Sequence, residues 1–419
     1  MLAYRSTRGG AEVPLSTALS SGLAPDGGLY VPTRFPTLTT ASFPEAGGVA
    51  AVAEVLLAPF FAGDRLEAAL PDICAEALDL PAPLVALDET TWLLELFHGP
   101  SAAFKDFGAR FLASCLSRLQ AGEDRPATIL VATSGDTGGA VAAAFHGKPD
   151  VEVVILYPKG KVSARQAHQL ACWGDNIATL AVDGDFDACQ AMVKGAFRDP
   201  VCQQARRLAS ANSINIGRLL PQMAYHAAAA LQQPGAASII PTGNMGNAAA
   251  AVWARRVGLP VGRVVTATNA NDTLSRLQAT GTLDPRPTVP TLANAMDVAV
   301  PSNLERLRDA GADPFDRLDA ISVDDAAIRA AIVAAREATG QVLCPHTAAA
   351  YHVRPAVAGP AILAATAHPS KFDTVVEPLI GEPVPVPPAL AALLELPTHE
   401  EPLAADLDAL RDWLVSTAS

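Results

Sequence analysis

A chain of 419 residues, half of them hydrophobic and 17% charged, is too apolar for disorder and too long for one hydrophobic core, so two or three domains are expected. The formal net charge of -13 and pI of about 5.0, unbroken by any Lys/Arg run, exclude duplex nucleic acid and an anionic membrane as partners. A small molecule remains, even an anionic one, because a buried pocket sets its own local field.

In chain order, the opening "MLAYRSTRGGAEVPL" lacks the apolar run of a secretory leader. Residues 1–90 are expected to form an N-terminal region, mostly helical around a turn at "APDGGLYVP" (24–32). "GGVAAVAEVLLAPFFAG", interrupted by Glu54 and Pro59, predicts a buried helix rather than a membrane span. "FKDFGARFLASCLSRL" predicts a helix with Phe104, Phe107, Phe111, Leu112 and Cys115 on one face. From residue 128, β-branched runs alternate with helical stretches: "TILVAT" (128–133), "VEVVILY" (151–157), "IATLAVDG" (177–184), "ASIIPTG" (237–243) and "RVVTATN" (263–269). Such alternation predicts parallel strands with helical crossovers, an α/β fold. We expect a smaller α/β domain over 128–215 and a larger one over 91–127 and 216–419. "EPLIGEPVPVPPAL" (377–390) reads as extended, and a last amphipathic helix places Leu403, Leu407, Leu410 and Leu414 on one face.

Cysteines at 74, 115, 172, 189, 202 and 344 form no CxxC pair, which argues against zinc and a disulfide framework and for free thiols in a reducing cytoplasm. The chain is compatible with a monomer or a dimer. Neither HExxH nor GxSxG occurs, so metal-dependent and serine hydrolysis have no support, and no metal ligands are assigned.

Ligands of α/β sheets bind beyond the carboxyl ends of strands. Two loops there stand out. "TSGDTGG" (133–139) offers Ser134, Asp136 and Thr137, and "PTGNMGNAAA" (241–250) places backbone N–H groups at a helix start, where a phosphate could sit. Taken singly, each loop reads first as a tight turn. Lys105, between Phe104 and Asp106, also has two readings: a snorkelling surface lysine, or an amine held in an apolar pocket at a helix start, with a lowered pKa and the capacity to form a Schiff base. A Schiff-base lysine together with a separate phosphate cradle is what pyridoxal phosphate requires. "SANSINIGRLLPQ" (210–222) adds Asn212, Ser213 and Arg218, either a phosphate or carboxylate clamp or a surface arginine beside a helix cap.

These segments, in order, resemble the threonine synthases of the longer bacterial and fungal type, within the fold-type II pyridoxal-phosphate enzymes. The resemblance also covers "DGGLYVP" (26–32), "VVILYPKGKVS" (153–163), "ATNANDT" (267–273), "NAMDV" (294–298), "PHTAAAY" (345–351) and "ATAHPSKF" (365–372). It implies a tryptophan synthase β-like fold with two parallel-sheet domains and a helical N-terminal region. It makes Lys105 the Schiff-base lysine, Gly243, Asn244, Met245, Gly246 and Asn247 the loop around the cofactor phosphate, and Asp136 and Thr347 further cofactor contacts, Thr347 near the pyridine nitrogen. Ser134, Thr137, Asn212, Ser213 and Arg218 would bind substrate. The implied reaction is β,γ-elimination of phosphate from O-phospho-L-homoserine and hydration to L-threonine, with the freed Lys105 amine as general base. Ser101, Met245, Asn247 and Asp136 depart from residues common among relatives; Met245 should be tolerated because backbone N–H groups hold the phosphate. The alternative is another fold-type II lyase acting on a phosphorylated or hydroxylated amino acid; a non-catalytic relative would be expected to lack Lys105.

Overall fold

The protein is described from a computed structural model covering residues 2–44, 47–133, 135–309 and 313–418. The chain opens with β1 (Tyr4–Ser6), β2 (Gly9–Val13) and β3 (Tyr30–Pro32), a small antiparallel sheet in the order β2-β1-β3. The expected helices of this region follow as Leu15–Ser21, Val49–Phe61 and Leu70–Leu78. The small sheet is an addition that the short, Gly-rich segments gave no pattern for. Val49–Phe61 buries Val52, Leu56, Leu57, Phe60 and Phe61, and among the described residues no helix is long and apolar enough to cross a membrane.

Next, β4 (Leu84–Ala86) and β5 (Thr91–Glu95) form the antiparallel edge pair of a larger sheet. The chain then leaves for a smaller sheet through the helix Lys105–Gln120 and adds β6 (Ala127–Ala132), β7 (Val151–Pro158), β8 (Ile177–Asp183) and β9 (Arg207–Ala209), all parallel. It returns with β10 (Ala237–Pro241), β11 (Val264–Thr268), β12 (Leu318–Ser322) and β13 (Ala361–Ala365), completing the order β12-β11-β10-β13-β5-β4. β6, β10, β11 and β13 are buried along their whole length, as parallel strands covered by helices on both faces must be. All five strands expected from the sequence are present.

The end of the chain differs from expectation. β14 (Glu401–Ala404) pairs in parallel with β8, and the following helix, Leu407–Ser416, buries Leu410 and Leu414 against the smaller sheet's apolar core. The last strand and helix therefore lie with the smaller sheet, not with the larger one. Leu403 belongs to β14, so only Leu407, Leu410 and Leu414 are helical. Likewise, residues 377–380 end the helix Asp373–Ile380, and the proline-rich stretch is extended only over 383–387, where Pro removes backbone donors.

Candidate active site

A cavity of about 810 Å³ lies between the two parallel sheets, reached by the ends of β6 at Ala132 and Thr133, of β10 at Pro241 and Thr242, and of β13 at Thr366. This is where strand order and loop geometry place ligands in α/β folds. Lys105, Asp136, Thr137, Asn212, Ser213, Arg218 and the loop Gly243–Asn247 all line it. Residues more than a hundred positions apart in sequence thus share one space.

Lys105 is the first residue of its helix, and the turn before it is stitched to the segment leaving β13. Phe104 N–H donates to Thr366 O at 2.8 Å, His368 N–H donates to Ala102 O at 3.0 Å, and Ala103 forms an isolated bridge with Ala367. Lys105 is half-buried, with the cavity on its open side, and its Nζ lies 6.0 Å from the Phe104 ring centroid. Burial, aided by the positive charges of Arg218 and Lys371 and opposed by Asp136, lowers its pKa to about 8. Phe104 lines the cavity; Phe107 packs away from it, 5.2 Å from Tyr225 ring to ring.

The loop after β6 is tightened by Thr133, whose Oγ1 accepts from Gly135 N–H at 3.1 Å and Gly138 N–H at 3.0 Å. Gly135 has φ 139°, and a Cβ there would meet Gln166 Nε2 at 2.6 Å, so both conformation and space demand glycine. Ser134 lies outside the described residues. Asp136, 5% exposed, starts the helix Asp136–Phe145 and carries two donors on Oδ1: Lys371 Nζ at 2.7 Å and Gln166 Nε2 at 3.0 Å. Burial alone would raise its carboxyl pKa, but Lys371, with Lys105 and His346, outweighs burial and holds it well below the usual range. Gln166 is fixed in turn by a capping box with Ser163.

Opposite, Met245 adopts φ 59° ahead of the helix Gly246–Arg256, whose first turn lines the cavity with backbone N–H groups that have no partner within the helix. Its left-handed backbone costs about 1–2 kcal/mol, and its side chain is 1% exposed. Asn247 Oδ1 accepts from Tyr225 OH at 3.0 Å and lies 2.6 Å from His226 Nε2, leaving Nδ2 without a protein partner. Arg218 sits in the short helix Ile216–Leu219, 2% exposed; Nη1 donates to Ala211 O at 2.6 Å and Nε has no partner. Burial lowers its pKa to about 10, opposed by the charge of Asp106, so it remains a cation at neutral pH, and among the described residues no carboxylate forms a salt bridge with it. The two loops touch each other: Asn244 Nδ2 donates to Ser213 Oγ at 3.4 Å, and Asn303 Nδ2 bridges to Asn244 O at 2.9 Å and Ser213 O at 3.3 Å. Orphaned donors on Arg218 and Asn247, the start of an eleven-residue helix and a lysine of lowered pKa fit pyridoxal phosphate: an anion site beside a reactive amine.

Thr347 is not brought to this cavity. It is 1% exposed, its Oγ1 lies 3.2 Å from Cys344 Sγ, and it borders a separate cavity of about 390 Å³. The wall position is taken by His346, whose pKa burial pushes down to about 4 and whose Nδ1 has no partner. His346 and Lys371 were missed by sequence reasoning, although both lie within matched segments, "PHTAAAY" and "ATAHPSKF"; a buried His or Lys has no mark in a sequence. Among the described residues no cluster of His, Cys, Asp and Glu could hold a metal ion.

The comparisons agree with this geometry. Residues 77–376 match the profile described as pyridoxal-phosphate dependent enzyme, 3–78 the threonine synthase N terminus and 346–414 the threonine synthase C-terminal profile. The threonine synthase of Escherichia coli is 40% identical over 420 residues, covering 97% of both chains. Its crystal structure superposes with a TM-score of 0.92 at 38% identity, covering 99% of each chain. The pyridoxal-phosphate-bound threonine synthase of Brucella melitensis superposes with a TM-score of 0.91 at 33% identity, covering 100% of each. With the family profiles and these relatives matching along nearly the full length of the chain, the protein belongs to the threonine synthase family of pyridoxal-phosphate-dependent lyases.

Proposed function

We propose that the chain converts O-phospho-L-homoserine and water into L-threonine and phosphate, with pyridoxal phosphate held on Lys105. The observation that carries this reading is Arg218: a buried guanidinium on the wall of the Lys105 cavity that, among the described residues, has a free Nε–H and no salt-bridged carboxylate. Such a cation calls for an anionic ligand. A plain hydroxy-amino acid offers only its α-carboxylate, whereas a phosphate ester adds a second, more highly charged anion. The cavity therefore favours phosphohomoserine over serine or threonine.

When bound, pyridoxal phosphate supplies the electron sink that lets a proton leave the α-carbon of an amino acid. The chain's own groups do the rest. The backbone N–H groups at Gly243–Asn247 and Asn247 Nδ2 hold the cofactor phosphate, and Asp136 orients the ring as an ionised carboxylate. Arg218, Asn212, Ser213 and Thr137 hold the substrate, with Arg218 on its phosphate through departure. Lys105 Nζ, freed from the cofactor when substrate takes its place, takes the α-proton and serves the β-carbon next. Phe104, Met245 and Met296 present apolar surface that limits water to the hydration step. Thr347, whose hydroxyl meets Cys344, is assigned no contact. Six buried free cysteines fit a reducing, cytoplasmic setting. We also take residues 401–416 as part of the smaller domain.

The test is product analysis of the purified chain loaded with pyridoxal phosphate. Phosphohomoserine should yield phosphate and threonine in equal amounts, while threonine itself is turned over far more slowly. Phosphate without threonine, or faster turnover of threonine, would reassign the chain to another lyase activity.

A further inference from the structure

Lys371 is 1% exposed and lies outside the cavity wall. Its Nζ stands 2.7 Å from Asp136 Oδ1 and donates to Ser101 O at 2.7 Å. Those acceptors belong to different parts of the fold. Asp136 begins the helix leaving β6 of the smaller sheet; Ser101 lies in the turn that delivers Lys105 and is stitched to the segment leaving β13 of the larger one. Lys371 sits on the turn Pro369–Phe372, beyond β13. Gln166 and Gln169, from the helix Ala164–Ala171, bond to the same two acceptors, Asp136 Oδ1 at 3.0 Å and Ser101 O at 3.2 Å. A buried ion pair adds little net stability over an apolar pair of similar volume, so this arrangement points to a use in the site.

We infer that Lys371 is a positioning residue for the reaction: one ammonium keeps the Asp136 carboxylate ionised, aims it into the cavity and ties it to the turn that carries Lys105. The inference rests on the proposed roles of Lys105 and Asp136. The titratable groups around the pair are few. Asp136 faces Lys371, Lys105, His346 and the Cys344 thiol, and Lys371 also faces Lys105, His346, Asp106 and His368. Burial pushes both histidines down to about 4 and Asp106 up to about 6, so neither histidine supplies positive charge at neutral pH. Without Lys371 the buried carboxyl loses its nearest cation and takes up a proton at higher pH.

The test compares Lys371→Met, Asp136→Asn and the double variant as full-chain holoenzymes. Lys371→Met should lower kcat at pH 7 by about tenfold or more, the equivalent of one pKa unit, with KM within about threefold. Its activity should return as pH rises through the elevated carboxyl pKa, and the visible band of the bound cofactor should gain a one-proton step absent from the wild type. In the Asp136→Asn background the same substitution should change kcat less than about twofold. Cofactor-free Lys371→Met should unfold at lower urea than the wild type, and the double variant should recover, because it leaves no charge unpaired. An equal loss of kcat in both backgrounds, or a wild-type pH profile and spectrum for Lys371→Met, overturns the inference. If Lys371→Met does not fold, the double variant decides: kcat equal to Asp136→Asn supports it, and a further tenfold loss overturns it. A wild-type chain without a cofactor band or threonine would sink the functional reading instead.

Discussion

Gly108 and Arg218 are in direct contact: a Cβ on Gly108 would stand 2.9 Å from Arg218 Nε and 2.7 Å from its carbonyl oxygen. Gly108 lies three residues beyond Lys105, on the same helix. The bare backbone there lets the arginine of the anion clamp rest on the helix that carries the reactive lysine. Gly108→Ala should displace Arg218, raising KM for phosphohomoserine by about tenfold or more and costing about 1–3 kcal/mol of stability from overpacking. The visible band of the bound cofactor should persist. Steady-state kinetics with a spectrum of the same sample checks this; a wild-type KM would contradict the contact.

Arg218 is a buried cation with no salt-bridged counter-ion among the described residues, so its cost falls on the ligand-free state and its benefit on the bound one. Arg218→Leu should leave the cofactor band intact and cost about 2–3 kcal/mol in substrate affinity, roughly 30- to 150-fold. The ligand-free variant should unfold at the same or a higher temperature than the wild type. With pyridoxal phosphate loaded, inorganic phosphate should raise the melting temperature of the wild type and not of the variant. Equal phosphate stabilisation of both proteins would show that the anion binds elsewhere.

The lowered pKa of Lys105 sets a sign for stability against pH. Burial brings the folded value to about 8 from an ordinary 10.5, so between those pH values the unfolded chain holds a proton that the folded chain has released. Stability contributed by this group therefore rises with pH across that window and is at its lowest below pH 8. Lys105→Met should stabilise the cofactor-free chain at pH 7 by up to about 3 kcal/mol, with the advantage shrinking as pH approaches 10.5. Urea unfolding of both proteins at pH 7 and pH 10 measures it; an advantage that does not change with pH would mean that Lys105 titrates normally.

The parts of this structure legible in the sequence are those with a period or a local shape. Parallel strands such as β6 and β10 show as β-branched runs bounded by glycine, and the loops after them show as Gly-rich turns at strand ends. β14 was not legible, because Glu401–Ala404 contains a proline, has no apolar alternation and is formed by pairing with β8, far away in sequence. The helix that follows was legible, yet nothing local says which sheet it covers. In the site, Lys105 was suggested by its place at a helix start between aromatics, and Asp136 by its loop. Lys371 and His346 were not, since their burial depends on segments far away in sequence. The resemblance placed Thr347 near the cofactor, whereas its hydroxyl turns to Cys344, one helical turn back, and His346 takes the wall.

Loss of the lysine amine should separate chemistry from folding. Lys105→Ala removes a side chain that bears no structural ion pair among the described residues, so the chain should keep its circular dichroism and melt cooperatively. Turnover should fall by on the order of a thousandfold or more, in line with loss of a nucleophile and general base. A variant that retains a tenth of wild-type activity would remove Lys105 from the mechanism.

The most direct measurement is to reduce the pyridoxal-phosphate-loaded protein with borohydride, digest it and locate the cofactor by mass spectrometry. The account predicts one modified peptide carrying the cofactor on Lys105, absent from the Lys105→Ala variant. Modification of Lys371 or of any surface lysine in place of Lys105 would contradict it.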